Sequence, residues 1–167
     1  MYLGVNSGTS ADAIDCVLVD ITDNSIQVIG SSELKIHSGL KEKIYEHVEK
    51  KKLCVQEYQE LQWQITEQYI LAIKHVLEKY NLKNSDIKAI GVHGQTIHHK
   101  PSSRYPYTLQ CVNAAKIAQA FKITTVDKVR GVDSALGGQG APLTPAFCQY
   151  LVKIQGIEEA VFLNLGG

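Results

Sequence analysis

The chain carries no net charge, because 17 lysines and arginines are balanced by 17 aspartates and glutamates. A protein that binds nucleic acid through its overall field needs an excess of positive charge, and one that binds a membrane surface needs a basic amphipathic stretch. The sequence has neither, and it lacks an apolar run of the length that crosses a bilayer. We therefore expect no nucleic-acid or membrane partner.

Cysteine is scarce and scattered. The four cysteines (Cys16, Cys54, Cys111 and Cys148) never form a C-x-x-C pair, so no zinc site is expected. Three of them lie in apolar segments, where a free buried thiol is the usual state. Free thiols indicate a reducing compartment, and the sequence starts in a strand-like segment rather than in a signal peptide. We therefore expect a cytoplasmic protein.

The 167 residues suffice for one domain with its own core. Apolar periodicity predicts strands over 2–5, 14–21, 25–36, 87–92, 107–110, 123–126 and 160–165, and helices over 40–51, 55–80, 113–121 and 145–152. The apolar face of the longest helix, which includes Tyr69, is predicted to be core. Three strands in a row predict a meander, and the β-α units after them predict parallel strands. The predicted fold class is α/β, a ribonuclease H-like mixed sheet with helices on both faces.

A turn of small hydroxyl residues, 7–10, follows the first strand. It has little side-chain bulk, so its backbone N–H groups can point outward together beside three hydroxyls. Such a cluster of neutral donors suits a phosphate. Asp12 and Asp15 come next, where a magnesium ion on that phosphate would take oxygen ligands or hold waters. The alternative is an ordinary polar hairpin turn, in which the same residue types are common.

A second polar loop follows the predicted strand 87–92, at the strand end where open α/β sheets place their ligands. Gly94 would let a ligand approach the main chain, and Gln95 and Thr96 suit the hydroxyls of a sugar. The histidines here are also a weak metal signal, but no carboxylate lies nearby, so sugar contact is favoured and no metal ligand is predicted. An ordinary capped loop is the alternative.

The third polar stretch, 127–145, follows the predicted strand 123–126. Asp127, at the strand end, can act as a general base if a water or hydroxyl lies within reach. Arg130 can neutralise the oxygens of a transferring phosphate. Glycines around Gln139 give a loop that can lie flat on a ligand. The alternative is a long surface loop whose Arg and Asp are paired for structure.

Together these segments resemble the anhydro-N-acetylmuramic acid kinase family, in the family's order and spacing along the whole chain. The motifs that carry the resemblance are Ser7-Gly8-Thr9-Ser10-x-Asp12-x-Ile14-Asp15, His93-Gly94-Gln95-Thr96-x-x-His99-x-Pro101, Thr108-Leu109-Gln110, Arg130-x-x-Asp133-x-Ala135-x-Gly137-Gly138-Gln139-Gly140-Ala141-Pro142-Leu143-x-Pro145 and Asn164-x-Gly166-Gly167.

The resemblance implies the first lobe of a sugar kinase–actin-like protein that uses ATP and Mg²⁺. The implied reaction opens the anhydro ring of a recycled cell-wall amino sugar with water while phosphorylating its O6. The catalytic candidates are Asp127 and Arg130. The implied ATP-binding residues are Gly8, Thr9, Ser10, Ala11, Asp12, Ala13, Ile14 and Asp15. The implied sugar-binding residues are His93, Gln95, Thr96, Gln110 and Gln139.

The sequence departs from the family pattern at several positions. The family has a glycine where Ala13 stands, and usually another where Val112 stands. Its general base is the Asp of Asp-Phe-Arg, where this chain has Lys128, and a protonated lysine cannot accept a proton near neutral pH. Neighbouring side chains at a strand end point to opposite faces, so Asp127 would replace that base only after a local shift.

The sequence closes in an apolar segment ending at Gly166-Gly167, which predicts half of a hairpin. Family members have a second lobe that completes the nucleotide pocket. We therefore expect the first part of a longer protein, catalytically incompetent by itself. The alternatives are a non-catalytic remnant that binds sugar or a partner protein, and a folding module that forms a homodimer through an exposed face.

Overall fold

A computed structural model describes residues 1–22, 25–50 and 52–163. The strands are β1 Tyr2–Ser7, β2 Ala13–Ile21, β3 Ile26–Lys35, β4 Ala89–Val92, β5 Gln95–Lys100, β6 Tyr107–Cys111 and β7 Thr124–Val126. The helices are α1 Ser38–Glu49, α2 Val55–Lys79, α3 Ala114–Phe121, α4 Val129–Ala135 and α5 Thr144–Gln155, with one 3₁₀ turn at Asn84–Asp86.

Five of the strands form one mixed sheet in the order β3-β2-β1-β4-β7. The pairs β1–β2 and β2–β3 are antiparallel, whereas β1–β4 and β4–β7 are parallel. An antiparallel meander extended by parallel strands on the β1 side is the ribonuclease H-like arrangement, so the predicted fold class is confirmed. The strands β5 and β6 form a separate antiparallel pair.

The core lies against one face of the large sheet. Leu3 pairs with Leu18 on one side and with Ile90 on the other, and all three side chains are buried. The long helix α2 packs on this face over β2 and β3, and α3 packs beside it over β7. Burial of the apolar stripe of α2 is the main stabilising term for such a helix.

Part of the opposite face of the sheet is open within the described residues. Val17, Gly4, Gly91 and Val126 form one row across it, in direct register. Both glycines are exposed, and a Cβ on Gly91 would meet nothing within 4 Å. A groove of about 490 Å³ follows this row.

Three segments differ from their predicted structure. The start of the third polar stretch, predicted as loop, contains α4, and the second polar loop continues directly into β5. Residues 160–163 are not a strand, because no neighbouring strand of the described chain pairs with them; the rest of that predicted strand and the motif ending in Gly166-Gly167 lie outside the described residues.

Two of the cysteines match the predicted buried state. Cys16 and Cys111 are buried free thiols as predicted, whereas Cys148 is partly exposed and Cys54 is exposed. Among the described residues, none of the helices has the length and apolar character that a membrane crossing requires.

Candidate functional site

The three polar stretches meet at one edge of the sheet, because each follows the carboxyl end of one of the parallel strands β1, β4 and β7. The side chain of Gln95, after β4, hydrogen-bonds to Ser7 and to the Gly8 carbonyl oxygen, after β1. The guanidinium of Arg130, after β7, hydrogen-bonds to His93. Direct contacts therefore join all three stretches into one site.

The turn after β1 is tight and presents its main chain to solvent. It is closed by a hydrogen bond from the Ala11 N–H to the Gly8 oxygen, at 3.1 Å. Ala11 is fully buried with a φ of 47°, a left-handed conformation that costs a non-glycine residue about 1 kcal/mol. Thr9 and Ser10 are exposed, and within the described chain their amides donate to no acceptor. These free donors fit a phosphate group.

The residues after the turn have different surroundings. Ala13 begins β2 and Ile14 is buried in the core, so neither offers a polar side chain to a ligand. The Asp12 carboxylate is ion-paired with Lys41 of α1. That hydrogen bond, together with one from Ser10, holds the pKa of Asp12 below its usual value.

Asp15 stands on the open face of the sheet. It pairs in register with Asn6 and lines the same groove as Asn6 and His93.

The helix α1 makes a further contact with the turn, because the Tyr45 hydroxyl donates to the Ser10 carbonyl oxygen at 2.8 Å. The turn is thus supported by α1 on one side while Asp15 faces the groove.

The imidazole of His93 has both of its nitrogens engaged. Arg130 Nε donates to His93 Nε2, so the ring proton must be on Nδ1, which donates to the Gly94 oxygen at 2.7 Å. Burial lowers the pKa of His93 from its ordinary value, and the positive charge of Arg130 lowers it further, while the Gly94 hydrogen bond opposes both. His93 is therefore a neutral imidazole of one defined tautomer.

The predicted sugar-binding amides and hydroxyl are engaged within the protein. Gln95 is buried, and its amide is used by Ser7 and Gly8. Thr96 and Gln110 face each other across β5 and β6, and Gln110 Nε2 donates to the hydroxyls of Thr96 and Thr108. Their contact with sugar stays a prediction.

The helix α4 anchors the glycine-rich loop that follows it. Arg130 Nη1 donates to the Gly140 oxygen at 2.8 Å, and the Gly140 N–H donates to Asp133 Oδ2 at 2.7 Å. Gly140 has a φ of 72°, and a Cβ there would lie 2.9 Å from Ser134 Oγ, so glycine is required. The side chain of Gln139, held between anchored neighbours, is exposed.

Asp127 and Lys128 line one small cavity of about 130 Å³ together with His93 and Gln110. Lys128 has a φ of 59° and precedes α4 without capping it by a side-chain hydrogen bond. The cavity therefore brings a carboxylate next to the predicted sugar-binding residues. A larger cavity, about 1270 Å³, lies between α5 and residues 158–163 and contains none of the predicted site residues.

Three residues that contact the site were not predicted as part of it. Tyr69, interpreted as core, hydrogen-bonds to Ser7, and Tyr45 supports the turn. Asp133 holds the glycine-rich loop. The only sequence signal was the spacing of Arg130 and Asp133, three residues apart, which places both on one side of a helix.

Comparison with known proteins gives a consistent result over the whole chain. The family model for anhydro-N-acetylmuramic acid kinase matches residues 1–167. The anhydro-N-acetylmuramic acid kinase of Vibrio vulnificus (strain CMCP6) is 36% identical over 167 residues, which are 100% of this chain and 45% of the relative. That of Photobacterium profundum is 39% identical over 166 residues, which are 99% of this chain and 44% of the relative.

A solved structure of Thermus thermophilus RuvC has a TM-score of 0.37 and 12% identity, over 96% of this chain and 84% of that chain. The chain spans about half the length of the curated relatives it matches, since they are covered to 45% and 44%.

Proposed function

This chain belongs to the anhydro-N-acetylmuramic acid kinase family, and we propose that it forms the amino-terminal lobe of such a kinase. In this proposal, the complete enzyme opens the anhydro bridge of the amino sugar with water and transfers the γ-phosphoryl group of ATP to O6. This lobe contributes the phosphate turn and the loops that contact the sugar. A second lobe would complete the nucleotide pocket, so this chain alone is not expected to phosphorylate the sugar.

The observation that carries the proposal is the direct joining of the three polar stretches. Gln95 bridges the His93 loop to the turn after β1, and Arg130 bridges the stretch after β7 to His93. A phosphoryl acceptor, a phosphate-binding turn and a general base have to lie close together for transfer to occur. The hydrogen bonds between the three polar stretches support this arrangement.

The turn after β1 supports the nucleotide part of the proposal. Its exposed Thr9 and Ser10 amides are suited to phosphate oxygens. Asp12 and Asp15 are exposed carboxylates of the kind that holds Mg²⁺ directly or through waters, and the bound ion would neutralise the charge of the phosphates. Asp12 would have to exchange its Lys41 partner for the ion.

Asp127 is our candidate for the general base. Its carboxylate borders the cavity that His93 and Gln110 also line, so a water in that cavity would lie near both the carboxylate and the predicted sugar contacts. Arg130 would neutralise charge on the transferring group or keep His93 neutral beside it. Lys128 borders the same cavity, and its ammonium would compete for the Asp127 carboxylate.

Lys128 also favours a second candidate function, a lobe that binds the sugar without catalysis. The lysine stands where the family has its base, and it has a left-handed backbone and lines the same cavity as Asp127. Under this alternative, the amino sugar binds in the absence of ATP and no phosphate is transferred.

The experiment combines binding and turnover. Purified chain is mixed with the anhydro sugar, ATP and Mg²⁺, alone and after co-expression with the remaining carboxyl-terminal half of the Vibrio vulnificus relative, and sugar phosphate is followed by ³¹P NMR. We expect product only from the complemented protein. Turnover by the chain alone would contradict the need for a second lobe.

The Asp127 assignment is tested in the complemented protein with Asp127→Asn, which should lower the rate by about a hundredfold, and the family's base position is tested with Lys128→Asp. Lys122→Asp is a matched control, because Lys122 also has a left-handed backbone, with a φ of 58°, but ends α3 away from the cavity. We expect Lys128→Asp to raise the rate by about ten- to a hundredfold, less than the roughly 10²–10⁴-fold contribution of a full general base because Asp127 already supplies part of it, and Lys122→Asp to leave it unchanged. If calorimetry shows sugar binding and none of the variants forms sugar phosphate, the non-catalytic alternative is favoured.

A further inference from the structure

A chain of hydrogen bonds runs through the core to the turn after β1. Its side chains are almost completely buried: Tyr69 is 0% exposed, Ser7 2% and Gln95 1%. Tyr69 and Ser7 lie 2.8 Å apart at their oxygens, and Ser7 Oγ lies 2.9 Å from Gln95 Oε1. Gln95 Nε2 lies 3.1 Å from the Gly8 oxygen.

The direction of every hydrogen bond in this chain follows by elimination. The Gly8 carbonyl can only accept, so Gln95 must present its NH₂ group to Gly8 and its oxygen to Ser7. That amide oxygen can only accept, so the single Ser7 proton points to Gln95. Ser7 therefore accepts from Tyr69. Tyr69 donates to Ser7, Ser7 donates to Gln95, and Gln95 donates to the Gly8 oxygen.

The chain ends on the atom that closes the turn. The Gly8 oxygen accepts from Gln95 and also from the Ala11 N–H, so both of its lone pairs are used. Ala11 is held in a left-handed conformation that a non-glycine residue adopts only when its surroundings enforce it. The second hydrogen bond to Gly8 is a constraint of this kind.

We propose that Tyr69, Ser7 and Gln95 form a positioning relay that fixes the Gly8 carbonyl and so keeps the Thr9 and Ser10 amides turned outward. Tyr69 acts through the other two and touches no ligand. The relay links α2, β1 and β5, three elements that are distant in sequence. The inference rests on the proposed function only in calling those amides phosphate donors; the relay and its effect on the turn are independent of it.

The protonation of Tyr69 supports its place as the first donor. Burial raises the pKa of Tyr69 well above its ordinary value, and the hydrogen bond with Ser7 offsets only part of that rise. The phenol therefore keeps its proton over the pH range in which the protein would work. The relay then needs no change of charge, and its effect is independent of pH in the native sequence.

The first test is amide hydrogen exchange of the chain without ligand, comparing Tyr69→Phe with Tyr58→Phe. Tyr58 is a partly buried tyrosine on the same face of α2, three turns earlier, and its hydroxyl lies near Cys111 instead of the turn. After correction for global stability measured in urea, we expect Tyr69→Phe to speed exchange of the Ala11 amide by about three- to tenfold, as loss of one hydrogen bond implies. Equal effects of both variants would overturn the proposal.

The second test uses a variant whose relay can be switched. In Gln95→Glu, a protonated carboxyl can still donate to Gly8 and accept from Ser7, whereas an ionised carboxylate cannot donate. Burial should raise the pKa of this glutamate. Protection of Ala11 is therefore expected to return as the pH falls through that pKa, and protection that stays low at every pH would overturn the relay.

Binding of Mg²⁺-ATP, measured on the same variants in the complemented protein, separates this inference from the proposed function. If the unaltered complemented protein does not bind ATP, the proposed function fails while the exchange results still decide the relay. If it does bind, we expect Tyr69→Phe to weaken ATP binding by about three- to tenfold and Tyr58→Phe to leave it unchanged. Normal ATP affinity in Tyr69→Phe would overturn the positioning role.

Discussion

Replacing Gly138 with alanine would test how the glycine-rich loop is held against α4. A Cβ on Gly138 would lie 2.6 Å from Asp133 Cγ and 2.7 Å from Asp133 Oδ1, closer than such atoms come in real structures. The carboxylate would have to move and would release the Gly140 N–H, which it now accepts at 2.7 Å. A hydrogen bond to a charged group contributes about 1.5–3 kcal/mol, and this carboxylate is partly exposed. We therefore expect Gly138→Ala to lower the free energy of unfolding by about 1–2 kcal/mol.

The assay is urea unfolding followed by circular dichroism, with Gly91→Ala as control. A Cβ on Gly91 meets nothing within 4 Å, so that change should raise the free energy of unfolding by about 0.5–1 kcal/mol through the lower entropy of the unfolded chain. Neither glycine has a left-handed backbone, so the comparison isolates the steric contact.

A double-mutant cycle with Asp133→Ala identifies the carboxylate as the cause. Once the carboxylate is gone, Gly138→Ala should no longer lower the free energy of unfolding and should raise it by about 0.5–1 kcal/mol, as expected for Gly91→Ala. The same loss of stability in both backgrounds would mean that the cost arises elsewhere, and the anchoring of the loop by Asp133 would be refuted.

Four further predictions concern the site and the sheet. Arg130→Met should raise the pKa of His93, because it removes one of the two causes that lower that pKa while burial stays, and an imidazole NMR titration with no upward change would contradict this. Because the pKa of His93 is lowered on folding, neutral His93 should stabilise the protein above the unfolded pKa of about 6.5, and this stabilisation should be lost as the pH falls through the lowered pKa of the folded state. If the difference in free energy of unfolding between wild type and His93→Asn, measured in urea, does not change with pH over this range, the prediction is refuted. Gly30→Ala should lower the free energy of unfolding by about 1–3 kcal/mol, since its Cβ would overlap the Tyr80 ring, and a urea midpoint at or above that of wild type would disprove the overlap. Lys122→Gly should raise that free energy by about 1 kcal/mol by relieving the left-handed residue that ends α3, which a thermal melt without gain would exclude.

The large sheet was predictable because buried apolar residues alternate with more exposed residues along its central strands. Leu3 and Val5 alternate with Gly4 and Asn6, and this period of two fixes which face of β1 is buried. The meander and the parallel strands after it also followed from general rules of chain connection. The open row on the second face could not be predicted, because glycines such as Gly4 and Gly91 do not by themselves reveal whether a neighbouring element covers them.

The helix α4 was missed because its sequence contains loop-favouring residues. Gly131 lies in its middle, and its valines are exposed rather than arranged as a buried stripe. The helix forms in the tertiary setting of the site, where Arg130 and Asp133 both bind Gly140. These hydrogen bonds between the helix and the loop after it leave no periodic trace in the sequence.

The polar stretches at the strand ends were identified from the sequence, but the contacts of their side chains were not. Gln95 was predicted to contact a sugar because its donors and acceptors suit sugar hydroxyls, and in the structure its side chain is buried against Ser7. Tyr69 was predicted as core by its spacing, and it is indeed buried. Its hydroxyl has a partner 62 positions away, which periodicity cannot reveal.

The imidazole of His93 also limits what a ligand can gain from it. With one nitrogen donating to Gly94 and the other accepting from Arg130, no lone pair is left over for a metal ion and no N–H for a sugar oxygen. Only the C–H edge and the two faces of the ring remain to contact a ligand. A sugar that rests on His93 would therefore do so with its C–H bonds, and the residue would select for the outline of the pyranose rather than for the pattern of its hydroxyls.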